Sequence, residues 1–312
     1  MSKFLIIFLS TFLTLNAQAN HSLSFDGVDD YVALGSPQAL EFYNNDFTFS
    51  TWFKTSATKK QWLISNYITY GNIPEWSFGI PSHSSNNLGF DIRGGGGPGE
   101  IETDVNVVDS DWHQVFLVKQ NNSITIYLDG SEVFNDTYED MNLTSGNPYF
   151  IGKQSENHGN YWDGFIDQMA FWNKALDHSE VLALNGYNGS ADNLISDFEN
   201  YESSENLVAL YTCDEGEGST LTDLSGNGND GTINGATWST DDAIPTPLNV
   251  FYIKKEDDAN PFDEENQDRL TDNIWISRGS WGPLLNMYYS GMDSDDGDYG
   301  TNGDPFYTQW GF

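Results

Sequence analysis

Four separated segments of alternating residue size constrain the fold of this chain most strongly. They are Leu23-Ser-Phe-Asp-Gly-Val-Asp-Asp-Tyr-Val32, Asp111-Trp-His-Gln-Val-Phe-Leu-Val118, Ile124-Thr-Ile-Tyr-Leu-Asp-Gly130 and Gly164-Phe-Ile-Asp-Gln-Met-Ala-Phe-Trp172. Each alternates large apolar residues with small or polar ones, which is typical of a strand with one buried face and one wet face. We therefore expect an all-β protein of antiparallel strands, in which Phe25, Trp112, Ile126 and Phe171 share one interior.

In order and spacing, these segments resemble the laminin-G-like jelly roll of the concanavalin A-like lectin/glucanase superfamily. The resemblance continues through Phe47-Thr-Phe-Ser-Thr-Trp-Phe53, Asn173-Lys-Ala-Leu-Asp-His-Ser-Glu180 and Asp223-Leu-Ser-Gly-Asn-Gly-Asn-Asp-Gly231 to Trp238. It implies a two-sheet antiparallel β-sandwich. Within it, Asp177 stands three residues before Glu180, and this capping spacing predicts one short helix that ends at Asn185-Gly186.

The ends of the chain predict a division into four parts. Lys3, the apolar run that follows it and the small residues Ala17-Gln-Ala19 predict a signal peptide over 1–19. The alternative, a membrane anchor, requires a longer apolar run, and no later segment is apolar enough to span a bilayer. We therefore expect a protein that is secreted or held at the cell surface by a partner.

After the jelly roll, predicted over 20–240, the two prolines of 241–248 indicate a linker. The remaining residues, 249–312, predict a small β-rich region with strand-like pieces at 250–253 and 273–289. One alternative is that this region is the first part of a module that continues beyond Phe312.

The charge of the chain narrows its partners. With 12 basic and 47 acidic residues, the net charge is −35, which opposes nucleic acid because phosphate contacts need Lys and Arg. A strongly acidic surface instead favours hydration and divalent cations. Cys213 is the only cysteine, so no internal disulfide can form.

The sequence contains no recognisable catalytic motif. A glycosidase needs two carboxylates placed across the scissile bond, and the paired-acid run of the glucanase relatives is absent from the strand-like segments. The five histidines lack metal-binding spacing, and the resemblance implies that His113 is a structural residue at the start of a core strand. A hydrolase would require two acids facing one another on the concave sheet.

Calcium is the predicted cofactor. The resemblance implies a structural Ca²⁺ where the first and last strands meet, and these strands hold Asp26 and Asp167. A second candidate is the loop from Asp223 through Ser225 to Asn227, although Asn234 occupies the position where a calcium loop has Glu.

Exposed aromatic rings beside hydrogen-bonding groups predict a sugar site. The family-matching strands hold Trp52, Trp112, Trp172 and Trp238, which we expect in the core. Other rings lie in or beside predicted loops, and the candidate ligand-binding residues are Trp76, His158, Asn160, Tyr161 and Trp162.

Together these features favour a secreted, non-catalytic carbohydrate-binding protein, stabilised by calcium, that recognises a glycan through one rim or through the concave sheet. The step from fold to glycan is an analogy, since such folds host many functions. Two alternatives stay open: a glycoside hydrolase, and a cell-surface adhesion protein whose sandwich contacts another protein.

Overall fold

The structure, a computed structural model, describes residues 20–42, 45–68, 74–94, 97–139, 141, 143, 146–155, 158–185 and 194–243, and the backbone at 275–278 and 285–288. The predicted signal peptide at 1–19, the linker beyond Ala243 and most of 249–312 therefore lie outside the described residues. None of the described helices is long and apolar enough to cross a membrane.

Eighteen strands and one α-helix are assigned in this part of the chain. The first strands are β1 (Ser22–Asp26), β2 (Tyr31–Gly35), β3 (Phe47–Lys54), β4 (Gln61–Ser65), β5 (Glu75–Ile80), β6 (Asn87–Arg93), β7 (Gly99–Asn106), β8 (His113–Gln120) and β9 (Ser123–Leu128). They are followed by β10 (Ser131–Thr137), β11 (Tyr149–Ile151), β12 (Asp163–Trp172), α1 (His178–Leu184), β13 (Leu207–Tyr211), β14 (Thr220–Leu221), β15 (Gly231–Asn234), β16 (Thr237–Ser239), β17 (Trp275–Arg278) and β18 (Leu285–Tyr288). Short 3₁₀ turns lie at Gln38–Leu40 and Ser204–Asn206.

The strands form two antiparallel eight-stranded sheets and one separate hairpin. Sheet A has the order β10-β9-β8-β3-β12-β1-β16, with β13 also paired to β12. Sheet B has the order β14-β15-β2-β11-β4-β5-β6-β7, and β17 pairs with β18. This arrangement confirms the predicted jelly-roll sandwich, including the pairing of the first strand, β1, with β12.

Period-two alternation builds the core between the sheets. In β8, Val115 and Leu117 point into the main cluster, where they join Phe25, Ile126 and Phe171. The prediction for Trp112 is wrong, because this residue precedes β8 and its ring lies beside Phe165 instead of in the main cluster. The intervening residues of β8 point to the opposite side of sheet A.

The outer face of sheet A, turned away from the main core, is partly covered by α1. Phe116 and Trp172 pack there against Val181 and Leu184 in a second hydrophobic cluster. The helix begins as predicted: Asp177 accepts a hydrogen bond from the Glu180 backbone N–H, and the Glu180 side chain accepts one from the Asp177 backbone. This capping box satisfies donors that the first helical turn leaves unpaired.

Candidate functional site

A row of side chains crosses five strands on the outer face of sheet B, the face turned away from the core. Backbone pairing aligns Phe150, Ser65, Ser77, Asp91 and Glu100 from β11 to β7, and we call this set the cross-strand row. Their neighbours along β5 and β6 point into the main core, so strand alternation turns the row outward. The row therefore places hydroxyl and carboxylate groups side by side on one face of the sheet.

The centre of the row is buried although it faces outward. Ser65 and Ser77 are fully buried, and Asp91 is 1% exposed. The two serine hydroxyls are 2.6 Å apart and share a hydrogen bond. Buried polar groups that are paired in this way have fixed positions, which is the condition for a preorganised site.

Asp91 holds the side chain of Arg93, which lies two residues further along β6 on the same face. The Nε of Arg93 donates to both carboxylate oxygens, at 2.9 Å and 2.8 Å. Burial raises the pKa of Asp91 above its ordinary value, while the hydrogen bond and charge of Arg93 oppose that rise. The Arg93 side chain is 38% exposed, so it is the accessible end of a buried ion pair.

Glu75 lies directly opposite Arg93 in the register of β5 and β6. Its Oε1 accepts a hydrogen bond from the Ile68 backbone at 3.0 Å. In the same region the Trp76 backbone N–H donates to Asn66 Oδ1 at 2.7 Å. These bonds attach the segment after β4 to the start of β5, so Glu75 contributes a carboxylate and also fixes the edge of the site.

The β7 side of the face ends in a second ion pair. Lys60 Nζ lies 2.5 Å from Oε2 of Glu100, the last member of the row. The same ammonium lies 5.2 Å from the ring centroid of Trp62. Arg93 and Lys60 are thus each paired with a carboxylate of the row.

A tight hairpin forms the rim next to this face. Gln154 and Ser155 donate backbone hydrogen bonds to the carbonyls of Gly159 and His158, and Asn160 Nδ2 donates to Gln154 Oε1 at 2.6 Å. The His158 ring contacts Tyr67 edge to face, with ring centroids 5.6 Å apart. Tyr67 follows Ser65 closely in the chain and its backbone N–H donates to the Ser65 hydroxyl, so the hairpin adjoins the cross-strand row.

The structure separates the predicted ligand-binding residues into two groups. His158, Asn160 and Tyr161 are partly exposed at the rim hairpin. Trp76 and Trp162 are only 1% and 0% exposed and belong to the main core, so the expectation that their rings are exposed platforms is wrong. Trp76 was assigned to a loop region because Pro74 precedes it, but it lies in β5, where alternation turns its ring inward.

Asp26 and Asp167 do not lie together. The prediction that β1 meets β12 is confirmed, but Asp26 pairs with Asp163, and Asp167 is four residues, about 13 Å, further along β12. Asp167 is buried, and its oxygens accept hydrogen bonds from the Gln168 and Ala243 backbones. Burial raises the pKa of Asp167 well above its ordinary value, so the predicted Asp26–Asp167 calcium pair is wrong.

Another group of carboxylates lies in the turn after β1. Single oxygens of Asp26, Asp29 and Asp30 all lie within 4.8 Å of one another. Burial raises the pKa of Asp30, opposed by a backbone hydrogen bond from Asp26, and the charges of Asp26 and Asp29 raise it further. Oxygen donors at this spacing fit a hard cation such as Ca²⁺.

The loop at Asp223, the second calcium candidate, is organised by hydrogen bonds instead. Asp223 Oδ1 accepts from the backbones of Leu210 and Ser225. Its Oδ2 accepts from both the backbone and the side chain of Asn229. Four N–H groups thus occupy the Asp223 carboxylate, so this residue stabilises the turn, and calcium binding at this loop stays a prediction.

Sequence reasoning missed the cross-strand row. The relevant pattern was present in Glu75-Trp-Ser-Phe-Gly-Ile80 and Asn87-Leu-Gly-Phe-Asp-Ile-Arg93, where polar or small residues alternate with large apolar ones. Reading both segments as paired strands would have placed Ser77 and Asp91 on one face. Their alignment with Ser65 and Glu100 also requires the register between strands, which the alternation does not contain.

Family comparison matches the sandwich. The model described as the concanavalin A-like lectin/glucanases superfamily, of the laminin G type, matches residues 26–182. No curated protein matches the chain significantly.

Solved structures match the fold at low sequence identity. A crystal structure from Bacteroides ovatus, provisionally described as a carbohydrate-binding protein, matches with a TM-score of 0.52 and 15% identity. The match covers 71% of this chain and 60% of the other, so the chain spans less than two thirds of that relative.

Two further structures are less similar. Domain 4 of an extracellular arabinanase from Geobacillus stearothermophilus, in complex with arabinotriose, has a TM-score of 0.43 and 18% identity, and the match covers 53% of this chain and 76% of the other. Domains LG4-5 of the mouse laminin alpha1 chain have a TM-score of 0.40 and 15% identity, with coverage of 51% and 44% respectively.

Proposed function

Because this chain belongs to the concanavalin A-like lectin/glucanase superfamily, we propose that it is a secreted, non-catalytic carbohydrate-binding protein that calcium stabilises. Its glycan site is the outer face of sheet B together with the rim hairpin. The shared fold of the Bacteroides ovatus protein, provisionally described as carbohydrate-binding, supports this only as an analogy, because one fold hosts many functions.

The contact between Tyr67 and His158 carries the proposal. It joins the rim hairpin, with its imidazole, amide and phenol groups, to the cross-strand row, and the partly exposed guanidinium of Arg93 lies on the same face of the sheet. Sugars are bound by this combination, since rings cover their apolar faces while polar groups contact their hydroxyls. Tyr161 supplies the partly exposed ring, and Asn160 is held in place by Gln154.

Separate observations support secretion and calcium binding. Secretion is supported by the charged start, apolar run and Ala17-Gln-Ala19 exit at the beginning of the sequence. Calcium is supported by the donor set of Asp26, Asp29 and Asp30, whose carboxylate oxygens repel one another unless a cation or protons compensate them. A cation there would fix the turn between β1 and β2.

A glycan array probed with the full chain tests the binding function. We expect retention on at least one glycan, and we expect His158→Ala and Tyr161→Ala each to weaken it by about tenfold, equivalent to about 1.4 kcal/mol. The matched control is His83→Ala, which removes an exposed histidine beyond the far end of β5 and should leave retention unchanged. Absence of retention on every glycan would reject the proposal and favour the cell-surface adhesion alternative.

One observation favours a second candidate function, glycoside hydrolysis. Glu75 and Asp91 are both 1% exposed and stand on the same face of adjacent strands, as diagonal neighbours in the register. Diagonal positions are about 7–8 Å apart, and inverting glycosidases place their carboxyl groups about 6.5–9.5 Å apart. Asp91, whose pKa burial raises, would be the acid, and Glu75 the base.

Hydrolysis and binding differ in a direct assay. A hydrolase releases reducing ends from the glycan that the array identifies, and Glu75→Gln abolishes that release while retention persists. A binding protein releases none. The hydrogen bond of Glu75 to Ile68 and the pairing of Asp91 with Arg93 favour binding, because both carboxylates already have structural partners.

A further inference from the structure

Arg93 is the only arginine of residues 20–243, and it lies on the face to which we assign glycan binding. Its Nε is occupied by Asp91. Among the residues that the structure describes, neither Nη nitrogen has a hydrogen-bond acceptor. The guanidinium therefore presents its outer N–H groups from a side chain that is 38% exposed.

The ion pair orients these donors before any ligand arrives. Asp91 is almost fully buried in the cross-strand row, and it holds the planar guanidinium through two contacts. A guanidinium fixed in this way loses little conformational entropy when it binds a ligand, since the side chain is already ordered. An ammonium at the same position would present a point charge without this geometry.

The charged side chains around Arg93 decide which glycans its guanidinium can bind. Glu75 lies opposite Arg93 in the register, and Asp91 and Glu100 follow in the row, whereas Lys60 supplies one further positive charge through its pair with Glu100. At the β5–β7 end of the row, three carboxylates thus face two basic groups, and a third basic group, Lys153, lies over the ring of Phe150 at the other end. Glu102 and Asp104 of β7 are also exposed, and the whole chain carries a net charge of −35.

An acidic sugar would therefore approach a surface that repels it. A carboxylate or sulfate bound to the Nη groups of Arg93 would place a second negative charge beside Asp91, which already neutralises the guanidinium, at a cost in like-charge repulsion. Hydroxyl oxygens accept the same N–H donors without adding charge, and the carboxylates of β7 can in turn accept hydrogen bonds from hydroxyl groups. Selectivity then follows from the charge of the ligand.

We propose that this site selects glycans without acidic groups and that the Nη groups of Arg93 are the donors that contact their hydroxyls. The proposal deepens the proposed function and rests on it. Arg93 is then the specificity-determining residue, and Asp91 is the positioning residue that orients it.

Matched probes test the selectivity. β-1,4-mannan oligosaccharides and β-1,4-mannuronan oligosaccharides differ at C6, which carries a hydroxymethyl group in the first and a carboxylate in the second. The full chain should be measured against both, and against the acidic and non-acidic members of a glycan array. We expect at least about tenfold preference for the non-acidic member of each bound pair, since charged contacts contribute on this scale.

The Arg93→Lys variant tests whether the planar guanidinium of Arg93 contacts the glycan. It keeps the charge but loses the planar donor geometry, so we expect affinity for the non-acidic glycan to fall by about tenfold or more. Lys54→Gln, a change on the outer face of sheet A, is the control and should not alter affinity. Circular dichroism and the melting temperature of each variant show that the fold is retained.

The outcomes separate this inference from the proposed function. Preference for an acidic glycan, or unchanged affinity in Arg93→Lys, overturns the inference while carbohydrate binding stands. Failure to bind any glycan overturns both. Affinity for the non-acidic probe should also change by less than about twofold between low and high salt, because screening acts on charged ligands.

Discussion

His113 and Asp129 share a short hydrogen bond, with 2.7 Å between the ring Nδ1 and the carboxylate Oδ2. Asp109 approaches the other ring nitrogen, Nε2, at 3.1 Å. The imidazole at the start of β8 is thus enclosed by two carboxylates from the turns before β8 and after β9. This agrees with the structural role that the family resemblance implied for His113.

The two carboxylates around His113 predict that the protein loses stability in mild alkali. The hydrogen bond to Asp129 raises the pKa of His113 to about 8, against the opposing effect of burial, and Asp109 raises it further. The unfolded value is about 6.5, so protonated His113 stabilises the fold fully below pH 6.5. This contribution, about 2 kcal/mol, is lost as the pH rises through 8.

Urea unfolding at pH 6 and pH 9 measures this effect. Because other groups titrate in the same range, the same measurement on His113→Asn supplies the reference. We expect the free energy of unfolding to differ between pH 6 and pH 9 by about 1–2 kcal/mol less in the variant than in the native protein. An identical pH dependence in both proteins would show that His113 is not the titrating group.

The capping box of α1 gives a second prediction. Asp177→Ala removes the acceptor for the Glu180 backbone N–H, which lies 3.0 Å away, and should lower the free energy of unfolding by about 1 kcal/mol. Asp177→Asn keeps an acceptor and should cost much less. Chemical denaturation of both variants checks this, with Glu132→Ala on exposed β10 as the control, and equal losses in the two Asp177 variants would contradict it.

The start of the predicted linker belongs to the packed structure. Asp241 accepts hydrogen bonds from Lys54 Nζ at 2.9 Å and from Trp112 Nε1 at 3.0 Å. The Ser22 hydroxyl donates to the backbone carbonyl of Asp241, and the Ala243 N–H donates to buried Asp167. Residues 241–243 therefore lie across the outer face of sheet A.

This packing predicts different stabilities for two truncated chains. A chain that ends at residue 240 leaves an oxygen of buried Asp167 without its donor, and should be about 1–3 kcal/mol less stable than a chain that ends at residue 248. Thermal unfolding of both, followed by circular dichroism, measures the difference. Equal stability would mean that the contacts of Asp241 and Ala243 contribute nothing measurable.

The sequence predicted what depends on neighbouring positions along the chain. Alternation in the segment with Val115 and Leu117 identified a strand, although Trp112 was the wrong choice for its core face, and the spacing of Asp177 and Glu180 identified the helix start. Both signals are local, since side-chain direction in a strand and capping in a helix follow from positions within a few residues.

What the sequence did not predict depends on register. Asp26 and Asp167 lie on paired strands, but the alignment that sets Asp26 opposite Asp163 is fixed by packing across the sheet. The same is true of Ser65, Ser77 and Asp91, which come together only when the β4–β5 and β5–β6 pairs both align. Trp76 and Trp162 were placed outside the core because turn residues surround them, and burial of large rings outweighed that local pattern.

Calcium binding at Asp26, Asp29 and Asp30 gives the last prediction. If Ca²⁺ binds there, the melting temperature of the full chain rises with calcium concentration, because a ligand that binds only the folded state stabilises it by about 2.7 kcal/mol at one hundred times its Kd. Asp30→Asn keeps an oxygen that can accept the Asp26 backbone hydrogen bond but removes a charge, and should abolish most of the shift. Asp104→Asn on exposed β7 is the matched control and should keep the full shift. A calcium response that survives in Asp30→Asn would assign the ion to another place, whereas the absence of any response in the native sequence would remove calcium from the proposed function and leave the glycan site untouched.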